Sequence, residues 1–312
     1  MELKKWIAPF DASEALDHLE QIFGSKERLL EECQLNGSET AFNQDIVYLA
    51  CENETLLGMI HATIPLRAPY LAGLSGMFTT EAARGKGIGK ILFGKMTEEV
   101  AARGVRLAVL GTGNPVAAKL YSKFGFAFLP GSHVMARFSQ GDMVDFAQDY
   151  YRMRRGTATV SAGDPSMRIP IVPLALQKDF GLILDINTEI FNSSTITERS
   201  CMGLFPRYEA LRKRGGDYFM AFDEAGTLGA VGSVSPQDDG TFRADFFHLP
   251  SFAPVVPDML QRFEDRYGKV YFEIAGNDVQ KETVLKENGM KAVGEGCCRT
   301  ADFMIPTVIF SR

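Results

Sequence analysis

No apolar run in this chain approaches the ~18 residues that a membrane-spanning helix needs. The N-terminal stretch MELKKWIAPFDASEALDHLE has no apolar segment of the kind that marks a secretory signal. Basic residues are outnumbered, with 33 Lys and Arg against 39 Asp and Glu, and the net charge is −6. That balance argues against general nucleic-acid binding, which leaves a basic footprint, and it favours cationic substrates by steering. Cysteine is sparse: Cys33, Cys51, Cys201, Cys297 and Cys298 are odd in number and show no C-x-x-C spacing. Neither a disulfide framework nor a zinc site follows from them, and the adjacent Cys297 and Cys298 read as small apolar residues near a strand. The four histidines, His18, His61, His133 and His248, have no i, i+4 or H-x-H spacing, so no metal site is visible. These absences predict a cytoplasmic protein that handles small molecules, without a metal and with no membrane or nucleic-acid partner. The oligomeric state, monomer or homodimer, is left open by them.

What is present is a repeat. The stretch DIVYLACENETLLGMI from Asp45 is echoed by DYFMAFDEAGTLGAV from Asp217. Each reads as two strands around a polar turn. Further on, RLAVLGTGNPVAAKLYSKFGFAFLPG from Arg106 is echoed by KVYFEIAGNDVQKETVLKENGMKAVGEG from Lys269. Both run strand, G-N, helix, Gly, strand, and both pairs occur in the same order. An internal repeat of this kind takes precedence over any element-by-element reading. With 312 residues, the chain has room for two domains of ~150 residues. The boundary is predicted within 139–170, where YYRMRRG is followed by the turn-rich VSAGDPSM. This gives a first domain at 1–140, a linker at 141–170 and a second domain at 171–312.

One feature occurs in a single copy. Residues 84–90 read RGKGIGK, between the apolar LAGLSGMFTT and a helical pattern of Ile88, Ile91, Leu92, Met96 and Val100 that ends at Gly104. The run therefore joins a strand to a helix N-terminus. Unpartnered N–H groups and the helix dipole favour an anion there. Glycines let the backbone approach a ligand, and Arg84, Lys86 and Lys90 add full charge, so the run suits a pyrophosphate. It is not a Walker A loop, which requires Gly where Arg84 stands and Ser or Thr where Ile91 stands. Nor is it G-x-G-x-x-G, because Lys90 occupies the third glycine position. The corresponding part of the second copy, FFHLPSFAPVVPDMLQRFEDRYG, has a Pro-containing turn instead.

With both elements in order, the sequence resembles the GNAT N-acetyltransferase superfamily. Its [Q/R]-x-x-G-x-[G/A] motif is matched by Arg84, Gly87 and Gly89. Its N-x-x-A-x-x-[L/F]-Y-x-K-x-G-F element is matched by Asn114, Ala117, Leu120, Tyr121, Lys123, Gly125 and Phe126. The resemblance covers roughly residues 40–137 strongly and reaches the second half through the repeat. It implies an α/β fold of two tandem GNAT-like domains, each a mixed, mostly antiparallel sheet flanked by helices, the second degenerate. It also implies acetyl-CoA as co-substrate, with Met77, Phe78 and Thr79 pairing with the pantetheine arm. The loop Arg84, Gly85, Lys86, Gly87, Ile88, Gly89 and Lys90 would hold the pyrophosphate, and Asn114 would lie beside the cofactor. Tyr121 would be the general acid that protonates the departing thiolate. The second copy has Leu285 at the matching position and no loop.

The expected activity is N-acetyl transfer to a small-molecule amine. The alternatives are a non-catalytic acyl-CoA sensor and a protein-lysine acetyltransferase. Glu52, His61 and Glu81 flank the predicted central strands and are candidate general bases, with no ground for choosing among them. The second half is expected to contribute to the acceptor pocket.

Overall fold

The computed structural model describes residues 1–150, 156–176, 180–192, 201–300 and 304–312. Most of the YYRMRRG stretch lies outside the described residues. The chain divides into two compact units. One comprises Met1–Met143, Arg168–Pro170 and Glu198–Gly203; the other comprises Val144–Met167, Ile171–Thr197 and Leu204–Arg312.

The first unit runs β1 (Glu2–Ile7), α1 (Ser13–Phe23), α2 (Ser25–Leu35), β2 (Asn43–Glu52), β3 (Thr55–Pro65), β4 (Leu71–Thr79), α3 (Ile88–Ala102), β5 (Leu107–Gly111), α4 (Pro115–Ser122), β6 (Ala127–Phe128) and β7 (Val134–Phe138). The strands form one sheet in the order β1-β2-β3-β4-β5-β7-β6. All neighbours are antiparallel except β4 and β5. The hairpin expected from Asp45 is β2–β3. Asn53 and Glu54 at its turn both have positive φ (47° and 66°), the geometry that fits the twist of a two-residue hairpin turn.

Strand alternation sends side chains to opposite faces, and β3 illustrates it. Ile60, Ala62 and Ile64 face α3 and α4, packing with Ile88, Leu92, Phe93, Met96 and Tyr121. Met59 faces the other way, against Leu16 and Leu19 of α1 and Leu35 of α2. The buried stripe of α3 differs from expectation at one position: Ile91 is 40% exposed, while Phe93 is 1% exposed. The stripe Ile88, Leu92, Phe93, Met96, Val100 follows one side of the helix, and Ile91 falls at its edge.

The second unit follows the same plan. Its elements are α5 (Met143–Tyr150), which begins at the last residue of the first unit's long segment, β8 (Thr159–Ala162), α6 (Ile171–Ala175), β9 (Ile183–Asp185), β10 (Ile190–Phe191), α7 (Leu204–Lys213), β11 (Asp217–Phe222), β12 (Leu228–Pro236), β13 (Phe242–His248), α8 (Val256–Tyr267), β14 (Val270–Ala275), α9 (Val279–Glu287), β15 (Lys291–Arg299) and β16 (Met304–Ser311). The sheet order is β15-β16-β14-β13-β12-β11-β8, again with one parallel pair, β13–β14. The two sheets are thus mixed, seven-stranded and flanked by helices, as the repeat predicts. Where the first unit has its glycine loop, the second has a 3-10 turn at Pro250–Val255 leading into α8. No described helix is long and apolar enough to cross a membrane.

Candidate active site

The parallel pair β4–β5 is joined only from Leu71–Leu107 to Gly73–Val109. Beyond Gly73, β4 stays with β3, and the two strands part. Opposite the gap, β4 carries a bulge: His61 pairs with Ser75 and Met59 with Phe78, so the register slips between them. Gly76 sits in this bulge with φ +56°, a conformation that side chains with a Cβ resist. The parted strands border a cleft of about 300 Å³, with Leu74, Ser75, Gly76 and Met77 on one wall and Leu110 to Asn114 on the other. Phe93, Ala117 and Tyr121 also line it, and Phe23 borders it from the end of α1.

The loop approaches this cleft through α3. Gly87 is the N-cap of α3 in the left-handed region, φ +77°. The first intrahelical bond is Ile91 N–H to Gly87 O at 3.2 Å, so the N–H groups of Ile88, Gly89 and Lys90 have no intrahelical partner. A Cβ on Gly89 would lie 3.3 Å from Met77 Cε and 3.5 Å from Thr79 Oγ1, which places the helix start against the end of β4. A Cβ at Gly85 or Gly87 would meet nothing within 4 Å, so open space surrounds the loop backbone. Arg84, Lys86 and Lys90 are exposed and make no ion pair among the described residues. Ile88 differs: its side chain is 3% exposed and belongs to the core, so only its backbone faces the loop.

Asn114 caps α4, its Oδ1 accepting from Val116 N–H at 2.9 Å and Ala117 N–H at 3.4 Å. Pro115 follows at the first helical position, and Gly125 stops the helix with φ +84°. This short, well-capped helix fixes Tyr121. The Tyr121 ring is 8% exposed and stacks on Phe93 with centroids 4.5 Å apart. Burial pushes its hydroxyl up to about 12. Among the described residues, no protein group hydrogen-bonds that hydroxyl. Of the strand residues expected at the site, Met77 lines the cleft, whereas Phe78 is buried on the α1–α2 face.

The three candidate bases separate. Glu52 lies at the end of β2, its side chain 59% exposed, 3.8 Å from the chain's terminal amine. Glu81 is exposed in the 3-10 turn before the loop. His61 is fully buried, its Nδ1 2.5 Å from Glu31 Oε2 and its Nε2 2.9 Å from Asp45 Oδ1. Burial opposes charge on this imidazole, but the two carboxylates override it and raise it to about 10. Thr63 Oγ1 donates to Asp45 Oδ1 at 2.7 Å, and Gln34 Nε2 donates to the same oxygen at 3.2 Å.

Two contributors come from far along the chain. Met202 lines the cleft. A Cβ on Gly73 would lie 2.8 Å from Met202 Sδ and 2.4 Å from Ile169 Cδ1, so this glycine admits both. Arg168 Nε donates to Glu39 Oε2 at 2.7 Å, and its Nη2 bonds the other oxygen; both side chains are buried. Sequence reasoning missed these residues. The only signal was Gly73 and Gly76 within a strand, which mark close approach or a bulge.

Residues 12–126, within the first unit, match the model of the Acetyltransferase (GNAT) family. The chain is also similar to a GNAT superfamily phosphinothricin acetyltransferase from Sinorhizobium meliloti solved with acetyl-CoA, at 14% identity and TM-score 0.37, covering 50% of this chain and 88% of that one. A spermidine N-acetyltransferase SpeG chimera from Vibrio cholerae and hSSAT matches at 11% identity and TM-score 0.38, over 49% and 93%. The ribosomal-protein-S5-alanine acetyltransferase of Vibrio fischeri matches at 9% identity and TM-score 0.38, over 51% and 94%. No curated protein matches the chain.

Proposed function

We propose that the first unit transfers an acetyl group from acetyl-CoA to the amine of a small molecule. The observation that carries this reading is the cleft itself: a gap between parted strands, floored by a buried tyrosine, beside a glycine-rich helix start. Arg84, Gly85, Lys86, Gly87, Ile88, Gly89 and Lys90 hold the pyrophosphate through backbone N–H groups and cationic side chains. Met77 and Thr79 lie between that loop and the cleft, along the path of the pantetheine arm, while Phe78 contributes through its backbone. Asn114 shapes the opposite wall.

The amine nitrogen attacks the thioester carbonyl carbon. The C–N bond forms, the C–S bond breaks, the thiolate takes a proton from the Tyr121 hydroxyl, and the proton shed by the attacking nitrogen restores the tyrosine. A tyrosine held protonated by burial suits an acid that must donate only as a strong base departs. With no hydrogen-bond partner among the described residues, the O–H is available to the sulfur. The second unit, with Leu285 fully buried at the matching position and no glycine loop, is non-catalytic on this reading. The compartment consistent with it is the cytoplasm.

Thiol release from acetyl-CoA across a panel of amines tests the reading. Turnover with one or more amines, lost in Tyr121→Phe, supports it. Coenzyme A binding without turnover for any amine favours a sensor instead, and turnover only with a lysine-containing peptide favours a protein acceptor.

A further inference from the structure

Resting on that reading, we propose that the acceptor amine enters from the α1–α2 side of the cleft and loses its proton, through Ser75, to the buried Glu31–His61–Asp45 cluster. Three observations place the cluster there. Ser75 lines the cleft and its Oγ lies 3.2 Å from His61 Nδ1. A Cβ on Gly76, the next cleft residue, would lie 3.3 Å from Glu31 Oε2, so the bulge brings Glu31 against the wall. Phe23, just before α2, borders the same opening.

Two carboxylates and one imidazolium leave one negative charge in excess, buried where an apolar pair would serve packing equally well. Glu31 is 2% exposed, Asp45 1% and His61 0%. Among the described residues, Glu31 is engaged through Oε2, by His61. An excess negative charge beside a cleft favours an arriving ammonium.

His61 alone is no base, because its ring is already charged between its two partners. The cluster as a whole has room for one more proton. The ammonium N–H gives its proton to Ser75 Oγ as the serine O–H passes its own to His61 Nδ1 and the Nδ1 proton moves on to Glu31 Oε2. The nitrogen lone pair so released forms the bond to the carbonyl carbon. The cluster goes from one negative charge to none and returns the proton to water after the product leaves. Glu31 and His61 thus act through Ser75, as positioning and proton-holding residues.

The test uses the full chain with acetyl-CoA and two small nucleophiles: methylamine, an ammonium at neutral pH, and methoxyamine, which is neutral there. Coenzyme A affinity is measured in parallel by calorimetry. Glu31→Gln and Ser75→Ala are expected to lower kcat/KM for methylamine at least about tenfold. The same variants should leave methoxyamine turnover and coenzyme A affinity close to wild type. Ser75→Ala keeps the test valid should Glu31→Gln fail to fold. Equal losses with both nucleophiles, or no loss with either, would overturn the proposal while leaving the acetyltransferase reading intact. A wild-type chain that binds coenzyme A but acylates neither these nucleophiles nor any amine of the panel would overturn both.

Discussion

Phe93 and Tyr121 stack with ring centroids 4.5 Å apart and planes 22° from parallel. One ring comes from α3, whose start carries the glycine loop, and the other from α4, whose start is capped by Asn114. The contact therefore ties the two helices that frame the cleft and fixes the tyrosine at its floor. Replacing Phe93 with Leu removes the stacking and is expected to cost about 1–2 kcal/mol. Activity should fall more than coenzyme A affinity, because Tyr121 loses its orientation. Urea unfolding and steady-state kinetics check this; unchanged kcat in a destabilised variant would contradict it.

Tyr121→Phe separates chemistry from stability. Among the described residues the hydroxyl has no hydrogen-bond partner, so its removal should leave the unfolding free energy in urea within about 0.5 kcal/mol of wild type. Turnover should fall by about 10²-fold or more. A variant that turns over normally would remove Tyr121 from the chemistry.

The His61 cluster makes stability fall at alkaline pH. Its folded pKa is raised from 6.5 to about 10. The stabilisation from the charged form is therefore fully present below 6.5 and is lost as pH rises through about 10. Urea midpoints across that window should decline, and His61→Gln should flatten this component. A wild-type profile with no decline between neutral pH and pH 10 would contradict the charged pairing.

Arg168 tests whether residues beyond the expected first domain belong to it. Removing one partner of a buried ion pair leaves the other uncompensated, at a cost of about 3–5 kcal/mol. Arg168→Ala in the full chain should lose that much stability in urea unfolding. A loss under about 1 kcal/mol would mean that Glu39 is reached by water.

The legible parts of this molecule are local ones. Residues 84–90, the cap at Asn114, the stop at Gly125 and the position of Tyr121 all lie within short windows whose patterns have direct backbone meanings. The tandem architecture was legible because the hairpin and the strand–helix–strand unit recur in order. Other features depend on strand register and on contacts between distant residues. Glu31, Asp45 and His61 come from three elements and meet only once β2 and β3 are paired and α2 is laid over them. Ser75 reads as an ordinary strand residue until the bulge at Gly76 turns it beside His61. Arg168 stands in the expected linker and Met202 in the expected second domain, and nothing in their local surroundings points to the first unit. The exposure of Ile91 reflects the same limit: periodicity marks a helix, but its neighbours decide which edge residues are covered.

The central claim is that one acyl-CoA site exists per chain, built on the loop of the first unit. Calorimetric titration of coenzyme A into the full chain, beside Gly87→Glu, tests it most directly. Gly87 combines positive φ with the N-cap of α3, and a carboxylate there opposes the pyrophosphate. The account predicts a single site per chain in the wild type and its loss in the variant. No binding, two equivalent sites, or binding that Gly87→Glu leaves unchanged would contradict it.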